Sequence, residues 1–354
     1  MEKILLINGS PRGAASNTRK ATQAFLDEMN RFGEYEVEEI ICSQANISAC
    51  KGCLTCLKNE SGTCCIQDDM AQYIQKYVAA DILIWSFPNF IFGVPSDCKK
   101  FMDRLLPINY PQLEKTDAQH TKHPKRYTLH YKKVFVFCSC GFYNIDANMD
   151  AIKKQFEILY GDLCDMILIP EGQLLSNRFL QWRTADVFAS LRQAGASYAK
   201  TQTIPSELLQ SISKPVMDID SYLRYIDAST VTRTAAMTDE EYRLEKVRAF
   251  FRSLVLTYDP SVLAVPNSVL EIQILDIPYE IQLILTNTDC TLIEDKSQFE
   301  QFRLKVVSNF AFFAGRPQLT ETTNNTNKQP DLNKLIFLIN KFEKAGVRKT
   351  MRFS

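Results

Sequence analysis

The chain opens on a short apolar run, Lys3 to Ile7, bounded by turn residues, and passes through a polar loop into Thr18 to Phe32, where apolar residues recur at helical spacing. Strand, loop and helix follow in that order. The pattern then repeats: strand Glu36 to Cys42, a cysteine-rich loop, helix Asp69 to Ala79, strand Asp81 to Ser86, and helix Ser96 to Leu105 with Cys98, Phe101, Met102 and Leu105 on one face. Strand Lys133 to Cys138, helix Asp146 to Tyr160, strand Asp162 to Ile169 and helix Thr184 to Lys200 complete the series. Five largely apolar strands alternating with helices predict an α/β fold with a doubly wound parallel sheet.

Two stretches break the alternation. Pro107 to Tyr131 carries prolines, lysines and all three histidines, His120, His123 and His130, and reads as an exposed insertion; the histidines are loop residues or metal ligands, with no accompanying carboxylate or cysteine pattern. After Lys200 the composition shifts to Thr, Ser, Gln and Pro, so residues 201–215 read as a linker between a first domain, 1–200, and a second, 216–354. In the second, Met217 to Thr257 looks helical, and strands are expected at Leu270 to Leu275, Glu280 to Leu285 and Cys290 to Ile293. A polar loop at Thr320 to Gln329 and a last amphipathic helix at Leu332 to Ala345 complete an α+β half.

Composition changes the picture at two points. Lys plus Arg and Asp plus Glu number 41 each, so no polyanionic partner is expected and nucleic acid is disfavoured. Without a membrane-length apolar run or a signal peptide, a cytoplasmic protein without membrane association is expected. Eleven cysteines in such a chain point to thiol, metal or redox chemistry rather than a disulfide framework. Five of them fall between Cys50 and Cys65.

The first candidate site is the turn Asn8-Gly9-Ser10-Pro11-Arg12, followed by Ser16-Asn17-Thr18. At a strand-to-helix junction the first helical N–H groups lack intrahelical partners and carry the positive dipole end, which stabilises a phosphate. Ser10, Ser16 and Thr18 add hydroxyls, Asn17 an amide and Arg12 a charge; the same residues also read as an ordinary turn and N-cap. G-x-x-x-x-G-K-[ST] is absent and G-x-G-x-x-G does not occur in this turn, which disfavours a nucleoside triphosphatase or a dinucleotide site.

A second loop, Ser86 to Ser96, follows the third strand. With strand order 2-1-3-4-5, the first and third strands flank the switch point, where ligands sit at the carboxyl edge. Phe87, Phe90 and Phe92 there either cap the core or cover a flat apolar partner such as an isoalloxazine ring. A third loop, Cys138-Ser139-Cys140-Gly141-Phe142-Tyr143, closes the pocket from the far side.

Taken together, G-S-P-R followed by S-N-T, the S-x-P-N-F-x-F-G loop leading to F-M-D-R (Phe101 to Arg104), and C-S-C-G-F resemble the flavodoxin-like NAD(P)H-dependent FMN reductases over about residues 1–200. The resemblance implies noncovalent FMN, with its phosphate at Ser10, Arg12, Ser16, Asn17 and Thr18. Its ring would lie against Pro88, Asn89, Phe90, Ile91, Phe92 and Gly93 on one side and Ser139, Cys140, Gly141 and Phe142 on another. It also implies a homodimer.

The loop Cys50-x2-Cys53-x2-Cys56-x7-Cys64 has the compact spacing by which a short loop wraps a 4Fe-4S cluster, and it is similar to that of the iron–sulfur flavoproteins in the same family. Counting back from Asp68-Asp69-Met70, that resemblance makes Cys64 the fourth ligand and leaves Cys65 in an apolar residue's place. Thiols with a packing or redox role are the alternative.

In the second domain Tyr258-Asp259-Pro260, Ser268 to Leu275, Tyr279 to Leu285 and Cys290 to Glu294 are similar to sterol-carrier-type domains, apart from the polar Thr320 to Gln329 loop.

The activity implied is hydride transfer from NAD(P)H to FMN and onward electron transfer to a small-molecule acceptor, such as a quinone or nitroaromatic, or to a ferredoxin-type partner, with a cluster allowing one-electron steps. The flavin does the chemistry, so the expected functional residues bind and orient, and no side-chain acid or base is assigned a catalytic role. Two other readings stay open: a flavodoxin-like electron carrier without nicotinamide activity, and a lipid-binding module with an auxiliary flavin domain.

Overall fold

The computed structural model describes residues 1–117, 119–176, 180–256, 268–274, 279–285, 290–293 and 303–308. Five strands, β1 (Glu2–Asn8), β2 (Tyr35–Ile41), β3 (Ile82–Pro88), β6 (Lys133–Ser139) and β7 (Cys164–Ile169), form one parallel sheet in the order β2-β1-β3-β6-β7. The insertion contributes the intervening two-residue strands β4 (Glu114–Lys115) and β5 (Thr121–Lys122), an exposed antiparallel hairpin. With the hairpin set aside the order is 2-1-3-4-5, the doubly wound flavodoxin-like arrangement.

Successive strand residues face opposite sides and both sides are covered, which is why the central strands are apolar throughout. Leu5, Ile7, Leu83, Trp85, Phe87, Val134 and Val136 face one core, against α3 (Met70–Ala79), α4 (Ser96–Asp103) and α5 (Asp150–Tyr160). Ile4, Leu6, Ile82, Ile84, Phe135 and Phe137 face the other, against α1 (Asn17–Phe32) and α6 (Gln181–Thr201). Each large side chain so buried contributes about 1.5–3 kcal/mol. In α1 the spacing of Ala21, Phe25 and Met29 puts the buried stripe on one face, and Ser16 starts the helix by accepting a hydrogen bond from the Arg19 N–H. Gly195 of α6 lets α1 approach closely: a Cβ there would fall 2.2 Å from the Phe25 carbonyl oxygen.

Several boundaries differ from expectation. The helix expected from Asp146 begins at Asp150, because Ala147 takes a left-handed φ of 59° that interrupts helical geometry. The strand expected from Asp162 begins at Cys164, after a tight turn at Gly161–Leu163. Residues 201–215, expected as a linker, instead contain α7 (Ser206–Ile212), whose Ile212 is buried in the second core. The polar composition belongs to the outer face of that helix, and the first compact unit, residues 1–176 with 184–216, runs to Val216.

In the second compact unit, residues 177–183 with 217–354, the described residues form two helices where a single helical stretch was expected, α8 (Ile219–Ser229) and α9 (Asp239–Leu256). Its sheet runs β10-β9-β8-β11, with β8 (Ser268–Ile274), β9 (Tyr279–Leu285) and β10 (Cys290–Ile293) antiparallel in sequence order. β11 (Arg303–Ser308) lies parallel to β8 and was not expected. The Tyr258 to Pro260 motif, the Thr320 to Gln329 loop and the Leu332 to Ala345 helix lie outside the described residues. No helix among the described residues is long and apolar enough to cross a membrane.

Candidate functional site

The carboxyl ends of β1, β3, β6 and β7 bring four loops together. In the first, Ser10 donates its N–H to Asn8 Oδ1 at 3.1 Å, and its hydroxyl oxygen accepts the Arg12 N–H at 3.2 Å. The Gly13 N–H goes to the Ser10 carbonyl and that of Ser16 to Gly13. These bonds fold the turn and consume its own donors. The N–H groups of Asn17 and Thr18, first in α1, have no partner among the described residues, as the start of a helix requires. An anion at this junction therefore meets the helix end rather than the turn backbone. Arg19 is committed to Glu39 through two 2.9 Å bonds, whereas Arg12 is exposed and without an ion pair among the described residues. Partial burial works against ionisation of Glu39, yet Arg19 and Asn8 hold its carboxyl below the usual range.

Thr18 ties the first loop to the third, its hydroxyl lying 2.6 Å from that of Ser139 in a buried contact. Asn17 Nδ2 donates to the Gly172 carbonyl at 2.8 Å, which adds a fourth loop, after β7, that the sequence reading missed. Its signal was Ile169-Pro170-Glu171-Gly172. A Cβ on Gly172 would fall 2.8 Å from that of Ser139, so the two loops can approach only with glycine there. Glu171 has φ 52° and donates its N–H to the Phe142 carbonyl.

The second loop makes a tight turn in which Phe90 and Gly93 exchange 3.0 Å backbone bonds, with Ile91 and Phe92 both at positive φ, 48° and 58°. This is the mirror-image turn that bulky residues ordinarily avoid, and its strain is held at the edge of the site. Phe87 is fully buried and stacks on Phe156, so it belongs to the core. Phe90, Ile91 and Phe92 are exposed, and Phe92 stacks on the exposed Phe142 of the third loop at 5.6 Å and 11° between planes. Asn89 donates its N–H to the Ser139 carbonyl at 2.7 Å and its Nδ2 to the Asn148 carbonyl at 2.8 Å. The carbonyl oxygens of the Asn17 and Asn89 side chains are buried and accept no hydrogen bond among the described residues, an arrangement that costs about 1–3 kcal/mol per group until a donor arrives. Cys140 is buried, with its sulfur toward the Phe142 and Asn144 carbonyls, and burial pushes its thiol up, so its side chain faces into its own loop.

The cysteine loop is held at both ends by Arg104 of the F-M-D-R motif. Its guanidinium is buried, bonds both carboxylate oxygens of Asp68 at 2.7 and 2.9 Å, and donates to the Ser48 carbonyl at 2.8 Å. Burial opposes ionisation of Asp68, but the Arg104 bonds and the Ser48 and Met70 N–H groups carry its carboxyl below the usual range. Arg126, from the insertion, caps the short helix α2 (Thr55–Lys58) within the loop. It donates to the carbonyls of Leu57, Asn59 and Glu60 at 3.2, 3.0 and 2.9 Å, and lies 4.5 Å from the centre of the Tyr110 ring.

Cys50, Cys53 and Cys65 are exposed, Cys64 is half-buried and Cys56 is buried. The thiols suit a soft metal in kind. Among the described residues no three cysteine, histidine or acidic groups gather closely enough to hold a single metal ion. Cys53 instead lies 3.5 Å, sulfur to sulfur, from Cys65, and Cys64 accepts the Ile66 N–H. Hydrogen bonds from the Thr55 hydroxyl and N–H lower the Cys53 thiol to about 7. In the insertion His120 pairs with Asp117, and His123 with the Gln112 carbonyl.

A family model of flavodoxin-like fold matches residues 2–161. An iron-sulfur flavoprotein of Archaeoglobus fulgidus is 35% identical over 108 residues, 30% of this chain and 47% of that protein. The FMN-dependent NADH:quinone oxidoreductase 1 of Pseudomonas fluorescens is 28% identical over 152 residues, 40% of this chain and 69% of that protein. Among solved structures, an FMN-dependent NADH-azoreductase from Bacillus anthracis in complex with FMN aligns over 56% of this chain and all of its own, at 16% identity and a TM-score of 0.43. The chain spans about half the length of the first curated relatives it matches.

Proposed function

Residues 2–161 belong to a family of flavodoxin-like fold, and from that premise we propose that the chain is an FMN-dependent oxidoreductase that takes hydride from NAD(P)H and passes electrons to a small planar acceptor such as a quinone. One observation carries the reading: acceptors and helix N–H groups without partners among the described residues meet exposed aromatic rings at one sheet edge. A mononucleotide has a dianion for the helix end, N–H donors for a buried amide oxygen and a flat tricycle for the rings.

The residues fit the group. The Asn17 and Thr18 N–H groups and the Arg12 charge would hold the phosphate, the Asn89 side-chain oxygen would accept a ring N–H, and Phe90 to Gly93 with Phe142 would border the ring. Bound FMN supplies the hydride and electron chemistry. The chain's own part is to orient it, to exclude water with Phe92 and Phe142, and to leave room for a planar partner. The name of the Pseudomonas relative gives a quinone as acceptor, which agrees with an aromatic-rimmed opening. The reading needs no cluster.

The test is anaerobic rapid mixing of the FMN-loaded protein with NADH and with NADPH. Bleaching of the flavin absorbance by at least one of them, and its return on adding a quinone, is expected. An oxidised flavin that persists with both would leave an electron carrier or a binding module instead.

A further inference from the structure

The cysteine loop carries one thiol more than its four-cysteine spacing uses, that of Cys65. A four-sulfur cradle would use Cys53 with Cys50, Cys56 and Cys64, yet Cys53 lies 3.5 Å, sulfur to sulfur, from Cys65, the residue the spacing leaves over. Both are exposed, so an oxidant in solution can reach them. They come from opposite limbs of the loop, twelve positions apart, and the limbs are held independently of any metal. Arg104 bonds Ser48 before the first cysteine and Asp68 after the last. Arg126 fixes the helical turn between them through the carbonyls of Leu57, Asn59 and Glu60. Cys64, next in sequence to Cys65, is turned toward the Ile66 N–H.

We propose that Cys53 and Cys65 form a redox-active dithiol that closes to an intramolecular disulfide, a modification site separate from the flavin edge. With a small-molecule disulfide as oxidant, the Cys53 thiolate attacks one sulfur to give a mixed disulfide and releases one thiolate. The Cys65 thiolate then attacks the Cys53 sulfur and releases the second. Two protein thiols are oxidised, one external disulfide is reduced to two thiols, and two protons pass to the released thiolates. Closing the pair also removes Cys53 from the set available to iron, so oxidation and cluster assembly exclude one another.

The experiment uses the full chain, purified and reduced without oxygen, desalted, exposed to oxidised glutathione, trapped with N-ethylmaleimide and digested for mass spectrometry. The expected result is the loss of two alkylatable thiols per chain and one linked peptide joining Cys53 to Cys65, reversed by dithiothreitol. Cys65→Ser should instead hold a stable glutathione adduct on Cys53, and Cys64→Ser should still form the link. Retention of both thiols, whether free or held by iron, overturns the proposal. So does a link from Cys53 to Cys64 in the wild-type chain, or unchanged two-thiol loss in Cys65→Ser. Circular dichroism of each variant distinguishes a lost link from a lost fold.

Discussion

Asn17 and Thr18 open α1 with N–H groups that nothing inside the helix accepts, and Arg12 stands exposed before them while Arg19 is neutralised by Glu39. Arg12→Ala therefore removes charge at the proposed phosphate position without disturbing a packed side chain. It should weaken FMN binding by about 1.5–3 kcal/mol, tenfold or more in Kd, as read by fluorescence titration. A second residue-scale prediction concerns Asp68, whose carboxyl is held below its ordinary value by Arg104 and two N–H groups despite its burial. A group depressed in the folded state stabilises the fold above its unfolded value and loses that contribution as pH falls through the folded value. The contribution of Asp68 to stability in denaturant titrations should thus be lost as pH drops through the acid range below about 4. Arg104→Met, which leaves the carboxylate buried and alone, should cost about 3–5 kcal/mol at neutral pH and reverse that dependence, becoming relatively more stable as Asp68 protonates. Unchanged neutral stability in this variant would refute the pairing's role.

At the scale of elements, the loop around Cys50 to Cys65 is a scaffold built by two arginines from distant sequence. Arg126→Met should open the α2 turn: exchange of the Leu57, Lys58 and Asn59 amides, which bond back to Leu54 and Thr55, should rise roughly tenfold or more, while β1 and β3 amides stay protected. Uniform protection across both segments would show that the cap is dispensable. Neither arginine's role was legible in the sequence. Arg126 sits in a stretch whose composition reads only as exposed loop, and its partners are backbone carbonyls, which leave no mark on residue identity. The strands were legible for the opposite reason, since burial on both faces writes an apolar run directly into Ile4 to Ile7 and Ile82 to Trp85. Phe87, Phe90 and Phe92 could not be separated by pattern, because a β-strand end and a strained turn use the same aromatics; burial divides them. Ile212 was hidden by the polar residues around it.

At the scale of the whole molecule, the chain divides into two compact units. The first supplies every group assigned to the proposed flavin site, and we place its end at Val216, after α7, rather than at residue 200. The described residues of the second form a helical pair and a four-stranded sheet in which β11 returns parallel to β8, a long-range pairing that local pattern does not encode. The proposed seat of a single flavin mononucleotide is the carboxyl edge of the five-stranded sheet, and a titration of the full chain with FMN tests it most directly. The expected result is saturable quenching of flavin fluorescence at one equivalent per chain, with yellow colour surviving desalting. A folded chain that stays colourless and leaves the fluorescence of excess FMN unchanged would contradict it.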